Sequence, residues 1–168
     1  MIRTTPLLLV AAAALALAGC ATAASETPST PVLEPTGAAG CEQVTVVVEF
    51  GALDKTPIEA CAAAGVATDV LAEVGVTTEG TVDYGDQVIC RVNNAPSPEE
   101  TVTVEGADPF IESCQTLNAA AYWALWVKNS PDAEWEYAQE GATTLQLEDG
   151  QSVGLVYTAG MDSTPPAG

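Results

Sequence analysis

The side chains that could carry chemistry in this chain of 168 residues are carboxylates, cysteines and aromatic rings. There are 23 acidic residues but no histidine, which excludes Ser-His-Asp and Cys-His nucleophile systems as well as imidazole metal ligands. Paired carboxylates could still perform acid–base catalysis, yet no pair stands out among acids that are scattered along the whole chain. We therefore predict that the protein is not an enzyme and has neither catalytic residues nor a metal site.

Cys20 closes a segment with the pattern of an export signal. Residues 1–19 combine one positive side chain, Arg3, with an apolar run at residues 6–18 that is too short for a permanent membrane span. The sequence Leu17-Ala18-Gly19-Cys20 resembles the lipobox of bacterial lipoproteins. The resemblance implies cleavage before Cys20, lipid on its sulfur as the only covalently bound cofactor, and an extracytoplasmic protein anchored to the cell membrane. An ordinary secretory signal with an accidental cysteine is the alternative.

The composition divides the rest of the chain into three segments. Residues 20–42 are mostly Ala, Thr, Pro, Ser and Gly, which bury too little surface to fold, so we predict a lipid-anchored flexible linker. Residues 159–168 have a similar composition and are predicted to be a disordered tail. Between them, residues 43–158 are enough for one domain with one core.

The charge balance restricts the partners. Removal of Arg3 with the signal leaves 23 acidic residues against three cations, Lys55, Arg91 and Lys128, which is a formal charge of −20. Three cations cannot form a patch that displaces counterions from nucleic acid, so we expect no nucleic-acid partner. The same charge repels anionic membrane surfaces and phosphorylated ligands. The partners that remain possible are a neutral or cationic ligand, a surface protein and the cell membrane, which the protein would contact through its lipid.

Four cysteines lie beyond residue 40: Cys41, Cys61, Cys90 and Cys114. An even number in an exported domain predicts two disulfides, and the absence of a Cys-x-x-Cys motif argues against a redox or zinc site. Of the three connectivities we favour Cys41–Cys61 and Cys90–Cys114, because each closes a loop of about 20 to 24 residues, worth roughly 3 kcal/mol in the chain-entropy model. Nested or crossed pairings stay open.

The hydrophobic pattern of residues 43–158 predicts strands and one short helix. Val44, Val46 and Val48 alternate onto one face, and Val47 on the other face suggests a central strand covered on both sides. Residues 66–76 have helical spacing, with Thr68 as N-cap and Gly75 at the end. Further strands are predicted at residues 57–61, 76–84, 87–92, 121–127 and 134–138, and a hairpin around Asp149-Gly150 at residues 143–158. We therefore predict an α+β, mainly antiparallel, disulfide-braced fold with the helix on one sheet face.

Several of these segments together resemble a known family. The stretches "VTVVVEFG", "LAEVGV", "VICRV", "AYWALWV", "EWEYAQEG" and "LEDGQSVGLVY" are similar to the transcobalamin-like C-terminal domain of small lipoproteins and secreted proteins of Gram-positive bacteria. The similarity covers roughly Val44 to Tyr157, and its most specific part is the aromatic sequence around Tyr122-Trp123. It implies a β-grasp-like sheet. In the vitamin carriers this domain closes over a corrinoid held by a larger helical domain, which this sequence does not contain, so cobalamin is implied as a candidate ligand at the level of the family.

Residues 121–141 contain all three tryptophans and two of the four tyrosines. Strand alternation places Tyr122 and Trp126 on one face and Trp123 on the other, and one helix cannot bury both faces. We therefore predict that at least one tryptophan is a surface binding residue and that the others are core. The candidate ligand-binding residues are Tyr122, Trp123, Trp126, Trp135 and Tyr137.

Two functions follow from this aromatic stretch. The first is a cell-surface lipoprotein that binds a flat small ligand, with cobalamin or another corrinoid as the candidate, through an aromatic patch. The second is a non-catalytic structural or protein-interaction module at the cell surface without a small ligand. A solvent-reachable aromatic pair beside a concavity favours the first, and fully buried tryptophans favour the second.

Overall fold

The computed structural model describes residues 41–160 and 163–167. The predicted signal peptide, the lipidation site Cys20 and residues 21–40 of the predicted linker lie outside the described residues, so these expectations stay predictions. In the part of the chain that is described, no helix combines the length and the apolarity needed to cross a membrane.

The described residues form eleven β-strands and one α-helix. In chain order they are β1 Val44–Glu49, β2 Ile58–Ala62, β3 Gly65–Val66, α1 Ala67–Glu73, β4 Thr78–Thr81, β5 Gly85–Val92, β6 Thr101–Val102, β7 Phe110–Ile111, β8 Ala121–Lys128, β9 Glu136–Tyr137, β10 Gln146–Leu147 and β11 Ser152–Ala159. Strands β1, β2, β5 and β8 lie where alternation predicts them, and β9 is shorter than predicted. A fold that is mostly sheet with one short helix confirms the α+β class among these residues.

A mixed sheet of five strands forms the centre, in the spatial order β2-β1-β11-β8-β9. The first and last strands, β1 and β11, are parallel neighbours, and the other pairs in this sheet are antiparallel. Three small two-stranded sheets, β3 with β10, β4 with β5 and β6 with β7, surround it. The pairing is thus mainly antiparallel, as predicted, with a parallel pair at its centre.

The central sheet is covered on both faces. Val44, Val46 and Val48 of β1 are each 0% exposed and face the main core, which also contains Leu71 of α1. Val47 on the opposite face is only 8% exposed. Strand β1 is therefore the doubly covered strand that its sequence predicts.

The two ends of helix α1 are stabilised by different backbone hydrogen bonds. Its N-cap is Val66, without a side-chain cap, so the prediction of Thr68 as N-cap is wrong. The reason is that backbone carbonyls of residues 142 and 145 already accept the first amide hydrogens of the helix. At the other end Gly75 has a φ of 77°, and its N–H bonds to the carbonyl of Ala72, as the predicted glycine stop requires.

The last predicted hairpin is wrong in its pairing. Gly150 does turn the chain, with a φ of 84°, but β10 pairs with β3 rather than with β11. Strand β11 pairs instead with β1 and β8. The physical reason is burial: from Ser152 to Thr158 every residue of β11 is buried, so the strand takes the centre of the sheet, where both of its edges are occupied.

Both disulfides have the favoured pairing. Cys41–Cys61 joins the residues before β1 to β2, and Cys90–Cys114 joins β5 to the segment after β7. The predicted disulfide framework is therefore confirmed.

The segment after β11 differs from the expectation of a disordered tail. Strand β11 includes Ala159, and residues 163–167 lie against the sheet face that is opposite the main core. Pro166 is buried, and the Ala167 N–H donates to Glu49 Oε1 over 2.7 Å. The composition alone did not indicate this, because it does not show that a proline ring can cover the surface left open by Gly154.

Candidate functional site

Trp123 belongs to the main core. Its ring packs edge-on against Phe50 and Tyr157, with ring centroids 5.4 Å apart in both pairs. Its indole N–H donates to the carbonyl oxygen of Ala95 over 3.0 Å, and the residue is 5% exposed. The structure thus separates the Trp123 side chain from the other predicted ligand-binding residues and gives it a structural role.

The other four predicted residues come together on the opposite face of the sheet. We call Tyr122, Trp126, Trp135 and Tyr137 the aromatic cluster; Trp126 packs there with Tyr122 and Trp135. The ring of Tyr137 stacks on Trp126, with centroids 4.0 Å apart and planes at 25°. Trp126 is 6% exposed, whereas Tyr137 is 43% exposed. Trp126 is therefore the buried support of the cluster, and Tyr137 presents aromatic surface to solvent.

The polar groups of the cluster are few and mostly neutral. A side-chain hydrogen bond with Tyr137, and then burial, raises the pKa of Tyr122 to about 12, so the Tyr122 hydroxyl is protonated at neutral pH. The indole nitrogen of Trp126 is buried without a hydrogen-bond partner among the described residues. Lys128 Nζ lies 6.0 Å from the centre of the Trp135 ring, within range of a cation–π interaction. The cluster suits flat groups that are uncharged or cationic.

A groove of about 350 Å³ adjoins the aromatic cluster. Tyr122 and Tyr137 belong to both; the other lining residues are Gln87, Val88, Ile89, Leu117, Trp123, Ala124, Leu125, Ala138, Gln139, Glu140 and Gly141. Four consecutive residues of β8, 122–125, line this groove. Successive side chains of a strand point to opposite faces, so a space bordered by four in a row lies beside the strand's backbone edge. The groove, from here on the β8 groove, therefore runs along the edge of β8.

The β8 groove exists because the neighbouring chain leaves β8 early. Strand β9 pairs only opposite Trp126 and Val127, and one further bond joins the Ala138 N–H to the Leu125 carbonyl oxygen over 3.0 Å. The chain then crosses to β5, where a Cβ added to Gly141 would lie 2.8 Å from the carbonyl oxygen of Gln87. This close approach requires a glycine. The groove is the space left between the edge of β8, the segment 138–141 and β5.

Among the described residues, one group with metal-ligand spacing occurs, formed by Glu79, Cys90 and Cys114, but both cysteines are joined in a disulfide and offer no thiolate. Arg91 lies beside this group, 5% exposed, and donates to the carbonyls of Pro96 and Glu112. These contacts hold loops together, and we assign them no chemical role.

Sequence reasoning found the aromatic cluster but missed the β8 groove. The alternation in β8 correctly placed Trp123 on the face opposite Tyr122 and Trp126, but it did not show which tryptophan is core. Nothing in the sequence indicated that residues 87–89 and 138–141 approach the edge of β8, apart from Gly141, whose small size permits the contact. The predicted lipidation site Cys20 lies outside the described residues.

Comparisons with family models, with curated proteins and with solved structures found no match for this chain.

Proposed function

We propose that the protein is a non-catalytic binding protein that is exported, anchored to the cell membrane through lipid at Cys20, and binds a flat ligand at the β8 groove. The observation that carries this proposal is the arrangement of Tyr137. One face of its ring is supported by Trp126, and the residue is 43% exposed at the border of the groove. A rigid aromatic ring beside a concavity offers a stacking surface for a second flat group.

The sheet topology supports a β-grasp-like interpretation of the fold. Its first and last strands, β1 and β11, are parallel central neighbours, β2 and β8 lie outside them, and α1 follows the β1–β2 pair along the chain. Val70 and Leu71 of α1 pack into the core that this sheet covers. A β-grasp-like sheet agrees with the resemblance to the transcobalamin-like domain, and a corrinoid is therefore the first small ligand that we propose.

The charges around the groove further restrict the class of ligand that could bind there. Two of the three cations expected in the mature chain are engaged, Arg91 with Glu79 and Lys128 with the ring of Trp135. Glu140 lines the groove, and the chain carries a large excess of acids. An uncharged or cationic ligand is favoured over an anionic one, because no free cation lines the groove in the described residues.

The proposal is tested by titrating the protein with cyanocobalamin, haem and oligosaccharides while tryptophan emission is recorded. Trp126 should report binding because it stacks on Tyr137. We expect the corrinoid to quench more strongly than haem at low salt, since haem carries two propionates. Loss of one stacking partner costs on the order of 1–3 kcal/mol, so Tyr137→Ala should weaken binding by about fivefold or more.

Tyr84→Ala is the matched control, because Tyr84 is also an exposed tyrosine, at 58%, but does not line the groove. Binding by this variant should equal that of the wild type. The proposal fails if no ligand of the panel binds, or if the two tyrosine variants lose affinity equally.

A protein-interaction role without a small ligand is the second candidate, and one observation favours it. Between Ala121 and Ala124 the edge of β8 that borders the groove pairs with no strand among the described residues. Unpaired strand edges are templates for pairing with another chain.

A further inference from the structure

We propose that the open edge of β8 accepts an extended peptide segment of a partner protein as an added strand, and that an arginine of this segment stacks on Tyr137. The inference rests on the proposal that the β8 groove is a binding site, and it identifies the flat group as a guanidinium carried by a peptide. Strand addition is a common mode of peptide recognition in which main-chain hydrogen bonds provide affinity and neighbouring side chains provide specificity.

The hydrogen bonds of β8 with its neighbours show to which edge of the strand each backbone N–H and C=O points. The N–H and C=O of one residue point to the same edge of a strand, and those of the next residue point to the opposite edge. The carbonyl of Leu125 points toward the groove side, because it accepts the N–H of Ala138. The N–H and C=O of Trp123 and Ala121 therefore point to the same side. They form a short row of main-chain donors and acceptors along the groove.

The length of this row sets the length of the ligand. Residues 121–124 of β8 lie beyond the reach of β9, and four residues of strand extend over about 13 Å at roughly 3.3 Å per residue. A peptide of four or five residues in extended conformation covers this distance. The added strand would continue the line of β9, which occupies the same edge opposite Trp126 and Val127.

The walls of the groove favour a free segment over a second copy of this domain. Residues 87–89 of β5 and residues 138–141 border the groove opposite and beside the edge of β8. A folded sheet would have to pass these walls before it could reach the edge, whereas a single extended chain enters between them. The occupant that fits is therefore one strand without a sheet behind it.

The charge of the groove and the exposed ring of Tyr137 indicate which side chain of the added strand would bind there. Glu140 lines the groove, and no cationic side chain lines it among the described residues, so the groove favours a cationic side chain. Guanidinium is flat, cationic and weakly hydrated, and it stacks on aromatic rings more readily than an ammonium group does. Tyr137 offers such a ring at the groove border. An arginine on the added strand would satisfy both features.

The test uses three synthetic peptides with the ¹⁵N-labelled domain: acetyl-Thr-Arg-Val-Thr-Val-amide, the same peptide with an N-methyl group on every residue, and the same peptide with Glu in place of Arg. We expect the first peptide to slow hydrogen exchange of the Trp123 amide by about tenfold or more, because that amide gains a main-chain acceptor. N-methylation removes main-chain donors without changing the side chains and should abolish the effect. The Glu peptide should bind at least about threefold more weakly, since like charges repel.

Glu140→Gln should weaken binding of the arginine peptide, and Glu148→Gln is the matched control, an exposed glutamate that does not line the groove. The inference is overturned if the arginine peptide leaves exchange at Trp123 unchanged, or if the N-methylated peptide binds equally well. If the peptides fail while cyanocobalamin binds in a manner that depends on Tyr137, the inference falls and the proposed function stands. If all of these ligands fail, both fall.

Discussion

Arg91 joins three separate segments of the domain, and its replacement tests how the described residues are held together. Nε donates to the Pro96 carbonyl over 2.9 Å, and one terminal nitrogen donates to the Glu112 carbonyl. The other donates to Glu79 Oε1 over 2.8 Å. Each bond from a charged donor to a buried carbonyl contributes about 1.5–3 kcal/mol. The bond to Glu79 contributes less, because the Glu79 side chain is 55% exposed and water screens the pair.

Arg91→Ala removes both buried bonds, so we predict that it lowers the free energy of unfolding by about 3–5 kcal/mol. Glu79→Gln keeps the two buried bonds and should cost less than about 1 kcal/mol. Arg91→Lys should lie between the two, because an ammonium group cannot reproduce the planar fork that reaches all three partners. Urea unfolding of the oxidised protein, followed by tryptophan emission, measures these differences.

This prediction is wrong if the free energy of unfolding of Arg91→Ala lies within about 1 kcal/mol of the wild-type value, since two buried carbonyls would then have lost a charged donor at almost no cost. It is also refuted if Glu79→Gln destabilises the protein as much as Arg91→Ala, because the exposed ion pair would then be the dominant contact.

Three further predictions concern the tryptophans, Tyr157 and Gly154. In thermal melts, Trp123→Ala should cost about 3–5 kcal/mol and Trp135→Ala clearly less, because Trp123 is 5% exposed in the main core and Trp135 is half-buried. Tyr157→Phe should leave stability at neutral pH unchanged or slightly higher, because the buried Tyr157 hydroxyl has no hydrogen-bond partner among the described residues. Burial, and then the charges of two glutamates, raises the Tyr157 pKa from 10.0 to about 12. The folded state thus holds this proton more tightly than the unfolded state does. The free energy of unfolding should therefore be constant with respect to this group below pH 10 and should fall as pH rises from 10 toward 12. Tyr157→Phe has no proton to lose, so its free energy of unfolding, measured by urea titration at each pH, should fall less over this range. Gly154→Ala should displace the tail, since the new Cβ would lie 2.5 Å from Pro166 Cγ, and hydrogen exchange of the tail amides should become faster; unchanged exchange would contradict this.

Local sequence patterns predicted the features that depend on neighbouring residues. Period-two alternation placed Trp123 and Trp126 on opposite faces of β8, because side-chain direction in a strand is a local property. The stop of α1 at Gly75 is likewise local, since a positive φ favours glycine. The preference for short disulfide loops also selected the observed pairs.

Features that depend on distant pairing could not be predicted in this way. Alternation indicates that Val153, Leu155 and Tyr157 share one face of β11 but not which strands lie beside it. A local hairpin is therefore predicted where β11 takes its place between β1 and β8. The β8 groove has the same origin, because it requires residues 138–141 to leave one strand and contact another. The contact of Pro166 with the sheet was missed because it depends on the open surface at Gly154.

Amide shift mapping on the ¹⁵N-labelled domain tests the central claim most directly, that the β8 groove is the binding site. The protein is titrated with cyanocobalamin and, separately, with the arginine peptide. We predict that the largest amide shifts occur at residues 122–125 and 137–141, on the two sides of the groove, while the turn at residues 82–84 shifts little. Shifts centred elsewhere in the domain, or no shifts with either ligand, would contradict the claim.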